Sequence, residues 1–368
     1  MNQTRDLGDQ MRIRLLTVGW VLALVAAACG SEAPTVANNF GVLDQGDQGA
    51  LQVLAYNYRP DSTLTYGFSM DTRMHTDMDF PGLGDAGNMA MGMSMGGSLQ
   101  YDVASGPQPG STALTMRSNI TSFDVDHFTV DGQSMASQLS SADLAALGDQ
   151  SALPEITVVV DERGEVLELK YGDATMPTDL LGGLGSGGFS DPTGMSLAGL
   201  FGPEMPAEEV RVGAEWTVDT SQDIPFMGTL ASSTHYWITG EEQYRGHDVL
   251  VIVSTTNIEE VEIDLMDMME SMLTMDSAAM AEMGMSADDL AMVQSGLFDD
   301  MNMTMRFNYN DLETTTYFDP VEGIVVWTAT EALMTGSMDM DTPEGSGTMT
   351  FDMEMDMQMA LADGGLGT

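Results

Sequence analysis

Residues 348–361 read TMTFDMEMDMQMAL. Met349, Phe351, Met353, Met355, Met357 and Met359 occupy every second position, with Asp352, Glu354 and Asp356 between them. A period of two is that of a β-strand, whose successive side chains point to opposite faces. Wound as a helix, the same residues would scatter methionine and acid around the whole cylinder. The stretch therefore predicts a long strand with an apolar face and an acidic one. The alternation recurs at Met89, Met91, Met93 and Met95, and again at Met301, Met303 and Met305.

Thioethers are soft ligands that suit Cu(I) or Ag(I), so such a stripe has two readings. Along one strand, residues i and i+2 are ~6.6–6.8 Å apart, too far for neighbouring sulfurs to share an ion without help from a second strand. The spacing favours an apolar lining. Met89, Met91, Met93, Met95, Met353, Met355 and Met357 are its candidate residues. Methionine adapts to irregular apolar partners, so a groove lined this way suits a lipid or another apolar ligand. A Cu(I)- or Ag(I)-binding envelope protein is the alternative, and no metal site or cofactor is expected on the first reading.

Composition accounts for the rest of the strand pattern. Among 368 residues, 43% are hydrophobic but only 7% aromatic, while 35 are methionine, so a core can form and methionine must carry much of it. Forty glycines favour a turn-rich β fold over a helix bundle. The 57 acids against 11 bases give a net charge of −46, which removes nucleic acid as a partner. The same charge repels anionic membrane surfaces, so attachment to a membrane needs another device.

The N-terminal region supplies one. Arg12 and Arg14 precede the apolar run LLTVGWVLALVAAA, residues 15–28, which is shorter than the ~20 residues of a comfortable span. The run ends at Cys29, the only cysteine of the chain. Ala26, Ala27 and Ala28 before it resemble the lipobox of bacterial lipoproteins, with alanine at position 26 where leucine is favoured. The expectation is a signal peptide over 1–28, starting at Met1 or Met11, and a lipid attached at Cys29. Lipidation would consume the only thiol and leave no disulfide or redox chemistry. Residues 29–54 are read as the lipidated N-terminus and tether.

Beyond the tether, a weak internal repeat divides the chain. Residues 98–106, SLQYDVASG, match 233–242, STHYWITGEE; residues 113–128 match 249–265; and VVVDERGEVLEL, 158–169, matches TTYFDPVEGIVVWT, 315–328. The expected organisation is a first β-rich repeat over 55–173, a Gly/Pro-rich linker over 174–207, a second repeat over 208–361 and a flexible tail over 362–368. The turns 161–164 and 319–323 each sit between two β-rich runs. Helix signals are few. Ser140 with Asp143 and Ser286 with Asp289 form S-x-x-D capping patterns, and residues 265–297 place methionines near helical spacing. The fold class expected is mainly β (α+β): long, curved antiparallel sheets from two tandem repeats, with a few covering helices.

The chemical motifs argue against an enzyme. A serine hydrolase using Ser94 is the remaining alternative: Gly92-Met93-Ser94-Met95-Gly96 satisfies G-x-S-x-G, but that elbow demands a strand-to-helix turn, and Ser94 lies inside an alternating strand pattern. Gly183, Gly185 and Gly188 form G-x-G-x-x-G followed by Asp191-Pro192 instead of a helix. His75, His127, His235 and His247 have no zinc-ligand spacing.

The lipobox-like Cys29, the tether, V-G-x-x-W at Val212 to Trp216 and F-D-P-x-x-G at Phe318 to Gly323 together resemble uncharacterised bacterial envelope lipoproteins. The expected architecture is similar to the half-barrel of periplasmic lipoprotein carriers and mycobacterial lipid-binding lipoproteins. That resemblance implies an exported, non-enzymatic protein of the cell envelope, lipid-anchored to a membrane outside the cytoplasm, whose partner is a lipid or other apolar small molecule.

Overall fold

Asp161 and Asp319 open two hairpin turns of the same construction. The Asp161 carboxylate accepts hydrogen bonds from the backbone N–H of Arg163 and Glu165. That of Asp319 accepts from Val321 and Glu322 and pairs through its other oxygen with His247 Nδ1 at 2.7 Å. A glycine with positive φ closes each turn, Gly164 at 87° and Gly323 at 66°. A Cβ at Gly323 would lie 2.5 Å from the Asn57 backbone nitrogen, so glycine there admits a neighbouring chain as well as the turn.

The structure is a computed structural model that describes residues 37–79, 87–130, 132–134, 156–171, 174–176, 202–224, 228–264, 302–342 and 345–362. Its strands are β1 (Ala37–Gln52), β2 (Thr63–Asp79), β3 (Met89–Ser105), β4 (Thr112–Val130), β5 (Gln133–Ser134), β6 (Ile156–Val160), β7 (Val166–Tyr171) and β8 (Ala174–Met176), followed by β9 (Val210–Ile224), β10 (Gly228–Tyr244), β11 (His247–Ile258), β12 (Val261–Asp264), β13 (Asn302–Asp319), β14 (Ile324–Thr342) and β15 (Gly345–Leu361). All belong to one antiparallel sheet in the order β1-β9-β10-β11-β13-β14-β15-β2-β3-β4-β6-β7-β8, with β12 against β13 and β5 against β4.

The protein is therefore mainly β, and the expected covering helices are not seen among the described residues. The stretches that suggested them, 140–147, 265–297 and 286–293, lie outside those residues, as do Cys29, the signal-peptide segment and the glycines at 183, 185 and 188. Two boundaries drawn from sequence differ from the structure. Ala37–Gln52, read as tether, is the edge strand β1 on β9. It carries no apolar alternation, and its register shifts between Val42 and Asp44, Gln45 and Gln48, and Gln48 and Gln52; the exposed backbone of β9 recruits it. Within the expected linker, Ala174–Met176 forms β8 on β7, and Met205 is fully buried.

Two meanders compose the sheet. One runs β2-β3-β4-β6-β7 and the other β9-β10-β11-β13-β14-β15. They join where β15 pairs with β2, in register from Thr348 opposite Asp79 to Leu361 opposite Tyr66. The stretches matched in the sequence fall on β3 and β10, on β4 and β11, and on the hairpins β6–β7 and β13–β14.

The connection from β1 to β2 shows how far the sheet curls. Seven ladders separate these strands, roughly 34 Å across a flat sheet. Yet the segment between them buries Leu54 and Tyr56. Tyr56 donates its backbone N–H to Glu162 in the β6–β7 turn, and the adjacent Asn57 donates to Gly323 in the β13–β14 turn. Five ladders lie between β14 and β6, roughly 24 Å if flat. Carbonyls so far apart along the sheet meet neighbouring residues only if the sheet rolls strongly on itself. One apolar cluster accordingly joins Val158 and Val160 of β6 to Val249 of β11.

Residues 202–209 complete this closed end. Met205 donates its N–H to Arg163, Tyr56 Oη donates to the Pro203 carbonyl, and Trp216 Nε1 donates to the Glu204 carbonyl. A second cluster of Leu54, Tyr56, Met205, Trp216, Ile238 and Phe318 forms beneath.

Glu204 carries a cost there. Its Oε1 is enclosed without a hydrogen-bond partner. Burial, and then the nearby Glu165 carboxylate, push its carboxyl up to about 7; Arg163 opposes the rise and Asp161 adds to it. An acid whose folded pKa lies above its unfolded value of ~4.3 holds a proton that the unfolded chain has released. Stability therefore falls as pH rises from the unfolded pKa through about 7. Glu204→Gln is expected to raise stability by about 2–3 kcal/mol at pH 8 and to change little at pH 4. Urea unfolding of both chains at the two pH values checks this, and an equal effect at both would refute it.

Candidate functional site

Antiparallel residues directly opposite each other share a face, so the ladders of β13, β14, β15, β2, β3 and β4 define rows across the inner side of the sheet. Toward the closed end, Thr314, Thr330, Met357, Met70, Met95 and Phe123 form one row. The next contains Ala332, Met355, Thr72, Met93 and Val125. Then come Tyr309, Met334, Met353, Met74, Met91 and Phe128. Beyond lies Phe307, Gly336, Phe351, Thr76, Met89 and Val130, and last Met305, Met338, Met349 and Met78. No charged side chain stands in these five rows.

The opposite face is acidic. Asp352, Glu354 and Asp356 of β15 are exposed, as are Asp71 and Asp77 of β2 and Asp124 of β4. Arg73 and Glu354 pair there at 3.5 Å, both well exposed, and such a pair contributes little. Segregation is what the period-two pattern of residues 348–361 requires, and β15 shows it along its length.

The methionines of the face differ in burial, although Thr76, Phe307 and Met303 stay buried toward its far end. Met357 and Met359 are 1% exposed and Met355, Met70 and Met95 are 7–8% exposed. Toward the other end, Met74, Met78, Met91, Met93, Met334, Met338, Met349 and Met353 are only half-buried. The residues proposed from sequence thus divide. Met95, Met355 and Met357 belong to the packed core, while Met89, Met91, Met93 and Met353 belong to the half-buried part. The structure adds Met74, Met78, Met334, Met338 and Met349 to them. The β2 methionines Met70, Met74 and Met78 recur every fourth position, so threonines hide the alternation that a methionine count alone would reveal.

Two features shape the half-buried part. Gly336 faces the Phe351 ring, whose Cζ would lie 2.2 Å from an added Cβ, so the missing side chain makes room for the ring. Phe351 meets Phe307 edge-on at 5.6 Å. Closer to the core, threonine hydroxyls pair across strands, Thr314 with Thr330 at 3.0 Å and Thr316 with Thr328 at 3.4 Å. These four hydroxyls thus satisfy one another.

Other candidate chemistry stays dispersed. Ser94 lies in mid-strand opposite Asp71 and Asp124, without the strand-to-helix turn that a nucleophile elbow needs. His75 neighbours Asp77, His235 neighbours Glu215 and His247 neighbours Asp319, while His127 is exposed. Among the described residues no three His, Cys, Asp or Glu side chains gather as a metal site.

No protein-family model matches the chain, and no curated protein matches it. Among solved structures, the β domain of the Bordetella autotransporter Brka is similar at 7% identity, over 82% of this chain and 100% of that one, with a TM-score of 0.12. A likeness of that size carries no argument about fold or function.

Proposed function

We propose that the chain is a non-enzymatic envelope lipoprotein, anchored to a membrane through Cys29, that holds a lipid or other apolar ligand against its methionine face. The observation that carries the reading is the state of the methionines on that face: uncharged neighbours throughout, packed shut near Met357, and half-buried from Met91 to Met349, with Phe307 and Thr76 buried between them. Apolar side chains left half in water form a surface that an apolar ligand stabilises by covering, at ~25 cal/mol per Å². Methionine suits such a surface because its unbranched side chain repacks around different shapes. The acidic exterior keeps the carrier soluble and disfavours an anionic headgroup, which points to a neutral apolar ligand.

Extraction of the natively purified protein and mass spectrometry test the reading. The expected result is a lipid in near-stoichiometric amount, lost when Met78 and Met349 are both replaced by Asp. A protein that carries no lipid and takes up no hydrophobic fluorescent probe would overturn it. Mass measurement of the N-terminal peptide tests the anchor separately, with acyl chains on Cys29 expected.

A further inference from the structure

Two rows of the sheet place four methionines side by side, Met305, Met338, Met349 and Met78 at the far end and a second row that ends on the aromatic rings of Tyr309 and Phe128. In that second row Met334 of β14 is opposite Met353 of β15, Met353 is opposite Met74 of β2, and Met74 is opposite Met91 of β3. Spacing along a single strand spoke against a metal site, but spacing across the ladder reverses that argument. Directly opposed residues have Cβ atoms ~4.5–5.5 Å apart. The methionine side chain is unbranched and flexible, so sulfurs from adjacent strands can turn toward one ion.

Three further observations favour a ligand over packing alone. First, the methionines are local. The β9–β11 sector builds its inner wall from Trp216, Val218, Ile238 and Ile252, the branched and aromatic residues that strands favour. Methionine in β14, β15, β2 and β3 is thus a departure within one sheet. Second, the row is half-buried, whereas the row of Met357, Met70 and Met95 is closed. Third, the row carries no carboxylate, imidazole or amine, so its donors are thioethers alone, with Tyr309 and Phe128 at its two ends. Thioethers select soft ions and discriminate against calcium, magnesium and zinc.

We propose that Met353 and Met74, joined by Met334 or Met91 on the flank, form a thioether site for a soft monovalent cation, Cu(I) or Ag(I). The site does not depend on a lipid being bound. Leucine separates the two readings, because it keeps the apolar volume and removes the sulfur.

The test uses the full chain carrying Cys29→Ser, which removes the only thiol. Silver(I) is titrated into it by calorimetry, and copper(I) is titrated against a chromophoric copper(I) chelator. One tight equivalent is expected. Met74→Leu with Met353→Leu should weaken it at least ~10–100-fold, the cost of losing even a supporting partner at a metal site. Met357→Leu, in the closed row, should leave affinity unchanged, and X-ray absorption of the copper(I) form should show sulfur scatterers. Circular dichroism and hydrophobic-probe uptake of the double variant establish that it is folded and keeps its apolar face. Failure of the parent chain to bind, equal affinity in the double variant, an equal loss in Met357→Leu, or nitrogen and oxygen ligation would each overturn the site. Lipid co-purification would be unaffected by any of these results.

Discussion

Met357→Asp is expected to destabilise the fold by at least about 3 kcal/mol, while Asp356→Asn, one residue away, should change stability by no more than about 0.5 kcal/mol. Met357 is 1% exposed, between Thr330 of β14 and Met70 of β2. A carboxylate there loses water and finds no cation, since the rows on either side are uncharged. It must either protonate or open the sheet, and the deleted thioether also forfeits its packing. Asp356 points the other way into solvent, opposite Glu331 and Asp71. Removing one of three like charges there relieves repulsion and compensates what little is lost. Urea unfolding of the two variants measures the difference, and comparable effects would mean that the two faces of β15 are not what the alternation requires.

Trp216→Ala should cost about 3–5 kcal/mol, the range for removing a large buried aromatic side chain. Trp216 is fully buried on β9 and stacks on Tyr236 at 5.2 Å and 11°. Its indole N–H donates to the Glu204 carbonyl at 2.9 Å, so the ring also fastens residues 202–209 across the closed end. Alanine leaves a cavity and deprives that carbonyl of a partner. Trp216→Phe separates the two contributions, because it keeps much of the ring packing and loses only the donor. Its expected cost is about 1–3 kcal/mol. The unfolding midpoint should fall in the order parent, Phe, Ala, and a Phe variant as damaged as Ala would assign the whole effect to the hydrogen bond.

Legibility followed the range of the interaction. The hairpins at 161–164 and 319–323 were readable because Asp and Gly act within a few residues. The inner and outer faces of β15 were readable for the same reason. β1 was not, because its polar, glycine-containing sequence takes strand form only when β9 presents an open edge. Residues 202–206 read as linker because their burial depends on the β6–β7 turn, some forty positions earlier. The role of Met74, Met78, Met334 and Met338 was missed for a related reason. Threonine, glycine and alanine interrupt the methionine pattern on β2 and β14, and only pairing with β15 collects these residues on one face.

By itself, the sequence determined which side of each strand is apolar, since alternation follows from the covalent geometry of an extended chain. It also determined that methionine would carry much of the core and acid much of the exterior. Tertiary structure alone decided which strands are neighbours and in what register. Backbone hydrogen bonds between strands are blind to residue identity, and the β15–β2 ladder joins residues nearly three hundred positions apart. The row Met334, Met353, Met74 and Met91 exists only through that register. A slip of two residues would keep every methionine on the inner face and still break the row.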